Sequence, residues 1–259
     1  MRVSGTGSVI AVSDRPIRFC TPSSDSIAYP PGGEPAPRYC DAGVDVVGVD
    51  LEALAEARTK DGATEGRATL TGTYTAGVLT VEQQEPPTPV PDRPKTQTPP
   101  CPEPAGGWPA QGPDQNLPPE SNQAFTDYLG AHEGSVMFTA LPRPTETTVI
   151  AGFAVHDDDE RAQVERELRP ALGDALCVVD ARWTQAELDA AREDPDLQLS
   201  PFGSDGLVVA TGVGPGDGDG DYIQPHYRVY TLLVSPELRA AADRHPAGLV
   251  IFEPALRPV

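Results

Sequence analysis

From Val3 to Glu82 short apolar runs rich in β-branched residues alternate with Gly, Pro and Asp. Val3 to Val12, Ile17 to Cys20, Val44 to Val49, Ala68 to Thr75 and Val78 to Glu82 each show partial two-residue alternation, the period of a half-buried strand. Ala76-Gly77 joins the last two as a hairpin turn. Between the third and fourth runs, Asp50-Leu51-Glu52-Ala53-Leu54-Ala55-Glu56 predicts a helix, with Asp50 as cap and Leu51, Leu54 and Ala55 on one face. Five strands with a helix after the third is the element order of an OB-type barrel. Residues 1–84 are therefore expected to form a small OB-like β-barrel.

Aliphatic residues almost vanish from Glu85 to Glu120, where Pro, Gln, Thr, Gly and Asp dominate. Residues 85–120 read as a Pro-rich linker of extended, semi-stiff backbone. Cys101 and Trp108 within it look like anchors that lay it on a domain surface.

From Ser121 the pattern changes to strand and helix in turn. Ser135 to Leu141 and Thr147 to Val155 predict strands, and Asp157 or Asp158 caps a helix running through Arg169 that Pro170 and Gly173 end. Leu176 to Asp180 predicts a strand, and Thr184-Gln185-Ala186-Glu187 is a capping box opening a helix to about Asp194. Strands Leu207 to Val213 and Tyr227 to Val234 come next. A helix capped by Ser235 with Pro236 at its first position and a strand Leu249 to Glu253 complete the chain. A strand-strand-helix-strand unit thus occurs twice, Val149 to Asp180 matching Tyr227 to Glu253. The expected fold class is two-domain α+β: the barrel, the linker, and residues 121–259 as a helix-on-sheet domain with one shared or two adjacent antiparallel sheets.

The chain of 259 residues carries a formal net charge of -20, which disfavours nucleic acid and anionic membrane surfaces and favours a basic partner. Dispersed acidity also keeps a protein in solution, and that simpler reading carries more weight. No stretch reaches the apolar length of a membrane span. Met1-Arg2-Val3-Ser4-Gly5-Thr6-Gly7 lacks the apolar core of a signal peptide, and an exported protein whose leader had been replaced would look the same. Compartment is read instead from cysteine. Cys20 and Cys40 bracket a Pro/Gly/Ser-rich loop with little to hold it but a staple, so they are expected to pair. Cys101, in Pro99-Pro100-Cys101-Pro102, and Cys177, in Leu176-Cys177-Val178-Val179, remain; their pairing would pin the linker to the second domain. Four reduced thiols, two of them simply buried, is the competing reading. No CxxC or HxxxH spacing offers zinc two ligands from one turn.

Asp217-Gly218-Asp219-Gly220-Asp221 has the alternating carboxylates of a calcium loop, but Tyr222 stands where the sharp turn needs Gly and Arg228 where a bidentate carboxylate is needed. An acidic hairpin loop is the stronger reading, with Asp217, Asp219 and Asp221 as weak cation candidates. Gly212-Val213-Gly214-Pro215-Gly216 leads to another strand, not into a helix N-terminus, and so makes a poor phosphate cradle. His132, His156, His226 and His245 each stand alone; His156 beside Asp157-Asp158-Asp159-Glu160 reads as a solvated helix cap. Trp183 reads as a staple against Leu188. No GxSxG elbow or nucleophile spacing is present, and no cofactor motif.

Several segments together resemble a family of predicted exported or lipoprotein-like proteins of high-GC Gram-positive bacteria, largely without assigned function. They are Gly5-Thr6-Gly7-Ser8-Val9, Thr71-Gly72-Thr73-Tyr74 through Val78-Leu79-Thr80-Val81, Pro100-Cys101-Pro102-Glu103-Pro104-Ala105-Gly106-Gly107-Trp108, Leu176-Cys177-Val178-Val179 with Thr184 to Leu188, and Ala255-Leu256-Arg257-Pro258-Val259. The resemblance implies that all four cysteines are disulfide-bonded in an extracytoplasmic setting. The second domain resembles, more distantly, the helix-on-sheet pro-regions of secreted bacterial serine proteases, an analogy of fold only. The expected function is a non-enzymatic module of the cell envelope or exterior that binds a protein or glycan. A hydrolase or metal-dependent enzyme whose site assembles only in three dimensions, a pro-region-like partner of a protease, and a cytoplasmic address are the alternatives.

Overall fold

The computed structural model describes residues 1–20, 40, 43–87, 96–109, 116–132, 138–198, 208–216 and 221–259. Within them the chain is a mixed α+β protein, mostly sheet, with four helices. The first sheet contains β1 (Arg2–Val12), β2 (Ile17–Cys20), β3 (Gly43–Val47), β4 (Ala55–Lys60), β5 (Ala63–Thr75) and β6 (Val78–Glu85). β1, β2 and β3 form an antiparallel meander, β3 runs parallel to β6, β6 pairs with β5, and β5 returns to pair along all of β1. Each of these five strands therefore has a partner on both sides. Val3, Val9, Phe19, Val44, Val46, Ala68, Leu70 and Leu79 meet in the core they surround.

The expected helix at Asp50 to Glu56 does not form. Asp50 does cap, since its Oδ1 accepts from Glu52 N at 3.0 Å, but the chain then makes a turn and enters β4. Glu56 sits at φ 54, left-handed backbone that an α-helix cannot contain. The Gln84 amide holds the Asp50 backbone from both sides, donating to its O at 2.8 Å and accepting from its N at 3.0 Å. Leu54 is buried in the core, so the apolar spacing was real while the local conformation was set by pairing with β5.

The second half contains α1 (Pro119–Ala131), β7 (Phe138–Ala140), β8 (Ala151–Val155), α2 (Asp158–Leu172), β9 (Leu176–Asp180), α3 (Gln185–Glu193), β10 (Val208–Pro215), β11 (Pro225–Thr231), α4 (Pro236–Ala242), β12 (Val250–Pro254) and β13 (Arg257–Pro258). Asp157 caps α2 by accepting from Glu160 N at 2.9 Å. The capping box at Thr184 and Glu187 and the Ser235 cap are also in place. Pro170 does not end α2, which continues through it to Leu172 and closes at Gly173. α1 lies where the linker was expected to end. Its Pro119 occupies the first turn, and Phe125 and Tyr128 set ring edges against Phe153 at 5.5 and 5.9 Å between centroids.

Two three-stranded sheets result, in the orders β7-β8-β9 and β10-β11-β12. In each the first pair is antiparallel and the second parallel. The expectation of antiparallel sheets fails because a helix lies between the last two strands of each unit, and a helical crossover delivers the chain back in the same direction. The expected strand-strand-helix-strand order is present in both units. α1 and α2 cover one face of β7-β8-β9, where Phe125, Val164, Leu168 and Leu172 pack on Ala151, Phe153, Val155 and Val178. α3 and α4 cover one face of β10-β11-β12 through Leu188, Ala191, Leu238 and Ala241 on Tyr227 and Val229. Leu232, Leu233 and Leu256 reach into the first core, and β13 adds to β1 at Val3 and Ser4.

Both expected disulfides are formed. Cys20–Cys40 has its Cα atoms 5.9 Å apart and Cys101–Cys177 5.8 Å, and the bonded state of all four fits an oxidising environment. Among the described residues no helix is long and apolar enough to cross a membrane.

Candidate functional site: an open sheet face on the second repeat

The two repeats correspond in register. The parallel ladder of the first runs from Ala151 beside Leu176 to Val155 beside Asp180, and that of the second from Tyr227 beside Val250 to Thr231 beside Pro254. After each ladder the next residue closes it in the same way: Ala181 N donates to Val155 O, and Ala255 N to Thr231 O, both at 2.8 Å. Position by position, the helix-covered faces match in chemistry, Phe153 with Val229 and Val178 with Phe252.

The opposite faces do not match. In the first repeat this face carries Gly152, Ala154, Cys177 and Val179, and it is covered. Cys101 is bonded to Cys177, Trp108 packs beside it, and Ile223 sits so close over Gly152 that a Cβ there would lie 2.5 Å from its Cδ1. The equivalent positions of the second repeat are Arg228, Tyr230, Ile251 and Glu253. Three of these, Arg228, Tyr230 and Glu253, line a cleft of about 450 Å³ together with Gln97, Tyr222 and the Gly212–Gly216 stretch.

Local sequence explains the cleft's shape. β10 ends in Gly212-Val213-Gly214-Pro215, with Gly216 after it, and a Cβ at Gly214 would fall 2.9 Å from Arg228 Cδ. Glycine thus lets the Arg228 chain lie flat across the edge strand, its head held by Glu253 Oε1 at 2.8 Å. Arg228 is nearly buried, whereas Glu253 keeps 34% of its side chain exposed. Val213 is 45% exposed. The cleft is therefore lined by a neutralised ion pair with one partly exposed carboxylate and by two tyrosines, Tyr222 and Tyr230, residues that combine an apolar ring with a polar hydroxyl.

The residues singled out from sequence fall elsewhere. Asp217 and Asp219 lie outside the described residues. Asp221 bonds His226 Nε2 at 3.0 Å and Arg182 at 2.8 Å. Among the described residues no three His, Cys, Asp or Glu side chains gather to hold a metal. His226 is buried edge-on to Trp183, 4.6 Å between centroids, and its Nδ1 donates to Gly248 O at 2.8 Å. Both ring nitrogens are thus engaged by protein oxygens, and neither faces the cleft as a base. His245 joins Arg244 on Asp194, at 2.9 and 2.7 Å, as a clamp between the end of α3 and the end of α4. Burial works to raise Asp194, but the hydrogen bonds from Arg244, His245 and Asp196 N outweigh it and hold the carboxyl below its usual range. His132 Nδ1 meets Tyr128 O at 2.9 Å, its ring stacked on Tyr128. His156 is exposed at the start of α2, its N donating to Glu160. Trp183 and Leu188 share one core, in keeping with a staple.

Sequence reasoning missed Arg228, Tyr230, Glu253, Tyr222 and Gln97. Their signal lies in the difference between repeats, Gly-Phe-Ala against Arg-Val-Tyr at the centre of each second strand, and reading it requires the strand register. Comparison with family models, curated proteins and solved structures gives no match for this chain.

Proposed function

We propose that this chain is an extracytoplasmic binding module whose ligand seats in the cleft on the β10-β11-β12 face. The observation that carries this reading is the contrast between repeats: the same sheet face is sealed by a disulfide-anchored strap in one copy and lined by Tyr222, Tyr230, Arg228 and Glu253 in the other. A face kept only for packing would carry the small and apolar residues of its twin. Two disulfides and the resemblance to exported proteins of high-GC Gram-positive bacteria support the location. The circuit of pairings β1-β2-β3-β6-β5-β1, with its parallel β3–β6 pair, supports an OB-like barrel for the first 84 residues. The barrel, the strap and the two repeats then make a rigid platform, with the acidic surface directing basic partners to it.

The test is capture from the native envelope fraction by the wild type and by Tyr230→Ala, with melting temperatures compared. A partner retained by the wild type and lost by an equally stable variant is the expected result. If both forms retain the same partners, the cleft is not the binding surface.

A further inference from the structure

Resting on that reading, we infer that the cleft's ligand is an extended, proline-rich peptide carrying basic residues. On the equivalent face of the first repeat the structure already holds a proline-rich segment, residues 96–109, which has neither helix nor strand. Cys101, from Pro99-Pro100-Cys101-Pro102-Glu103-Pro104, is bonded to Cys177 and Trp108 packs alongside. That segment is continuous with the cleft, since its Gln97 forms part of the wall. One surface thus passes from a face covered by the chain's own proline-rich segment to a face of the same architecture lined by other residues.

A peptide laid on a sheet face, unlike one added to a sheet edge, gains no ladder hydrogen bonds, so proline loses nothing there and brings low conformational entropy. Tyr222 and Tyr230 line the cleft, and tyrosine is suited to such a ligand, its ring to pyrrolidine packing and its hydroxyl to the exposed carbonyls of a polyproline helix. At Gly212 an added Cβ would meet nothing within 4 Å, so this part of the wall leaves room for the backbone. Arg228 is already neutralised by Glu253, the carboxylate is the more exposed of the two, and the chain carries -20 overall. A peptide with Arg or Lys between prolines meets attraction both at a distance and on contact.

Three probes decide it, each titrated against the full chain: a fluorescein-labelled ten-residue oligoproline bearing two arginines, the same peptide with every proline replaced by serine, and an N-acetylglucosamine tetrasaccharide. The proline peptide is expected to bind about tenfold or more tightly than the serine peptide and to lose about tenfold with Tyr230→Ala, a loss of hot-spot size. Tyr230→Phe should keep most of the affinity, and added salt should weaken it. Equal binding of the serine peptide, or binding of the tetrasaccharide alone at a site sensitive to Tyr230→Ala, overturns the proline inference and leaves the binding module standing. If no probe binds, the proline inference falls, and the module reading falls with it only when envelope capture is also indifferent to Tyr230→Ala.

Discussion

Gly152 and Arg228 occupy the same place in two copies of one sheet, each second of the five pairs in its parallel ladder, Gly152 beside Cys177 and Arg228 beside Ile251. One has no side chain and is roofed by Ile223; the other fills the position and floors a cleft. The packing of the first repeat therefore depends on glycine, for contact and not for backbone freedom. Gly152→Val should destabilise by about 2 kcal/mol, the range of overpacked cores, seen as a lower urea midpoint with an unchanged slope. The converse change at Gly214, which would push Arg228 off the edge strand, should alter ligand binding more than stability. An unaltered midpoint for Gly152→Val would show that Ile223 is not seated as described.

Asp194 ties the end of α3 to Arg244 and His245. Its carboxyl is held below the usual range in the folded protein, so its contribution is fully present above the unfolded carboxylate pKa of about 4 and is lost as pH falls through the folded value. Asp194→Asn should cost about 2 kcal/mol at pH 7, as expected for hydrogen bonds to a charged group, and much less at pH 2. Glu82, Glu187 and Glu237 are lowered in the same direction, so the variant keeps part of the acid slope. Denaturant midpoints of both forms from pH 2 to 7 measure the difference, and a gap that does not close in acid would refute the assignment.

The Cys101–Cys177 bond spans 76 residues of chain, and closing a loop of that size restricts the unfolded state by about 4 kcal/mol in the entropic account. Its removal should also release Trp108 from the cluster of Ile150, Ala154, Ala175, Cys177 and Ile223. Cys101→Ser/Cys177→Ser in a Trp183→Phe background should show a red-shifted, quenchable Trp108 emission while far-ultraviolet circular dichroism retains the strand signal of the first sheet. Thiol counting on denatured, unreduced protein should find none. Trp108 emission unchanged by the double substitution would mean that the strap is held without the bond.

Sequence legibility followed locality. The caps at Asp157, Thr184 and Ser235, and the limits of β9, were readable because a capping side chain and its target N–H lie within a few residues of each other. The stretch at Asp50 to Glu56 misled because Leu51, Leu54 and Ala55 have helical spacing, while Gln84 and β5, both distant in sequence, decide the conformation. α1 was hidden by Ser121-Asn122, weak helix formers directly after a proline-rich stretch, although Pro119 at the start and the pairs Ala124-Phe125 and Tyr128-Leu129 mark a stripe. The cleft was least legible of all. Nothing in Arg228, Tyr230 or Glu253 differs from an ordinary strand residue until the two ladders are aligned.

Thr231 closes the second ladder beside Pro254 as Val155 closes the first beside Asp180, and each accepts a backbone N–H from the residue after the partner strand. Thr231 is 1% exposed, and its hydroxyl has no hydrogen-bond partner among the described residues. A buried hydroxyl without a partner carries its desolvation cost in the folded state alone, and valine has the same shape without that cost. Thr231→Val should therefore stabilise the protein by about 1 kcal/mol, with the cleft on the other face of β11 unaffected in its ligand affinity. The reverse change in the first repeat, Val155→Thr, should destabilise by a similar amount, because its surroundings are the apolar cluster of Phe153, Val164 and Leu168. Paired denaturation curves test both substitutions. A destabilised Thr231→Val would show that the hydroxyl is bonded in solution, and would remove the argument that this position is a threonine without a structural task.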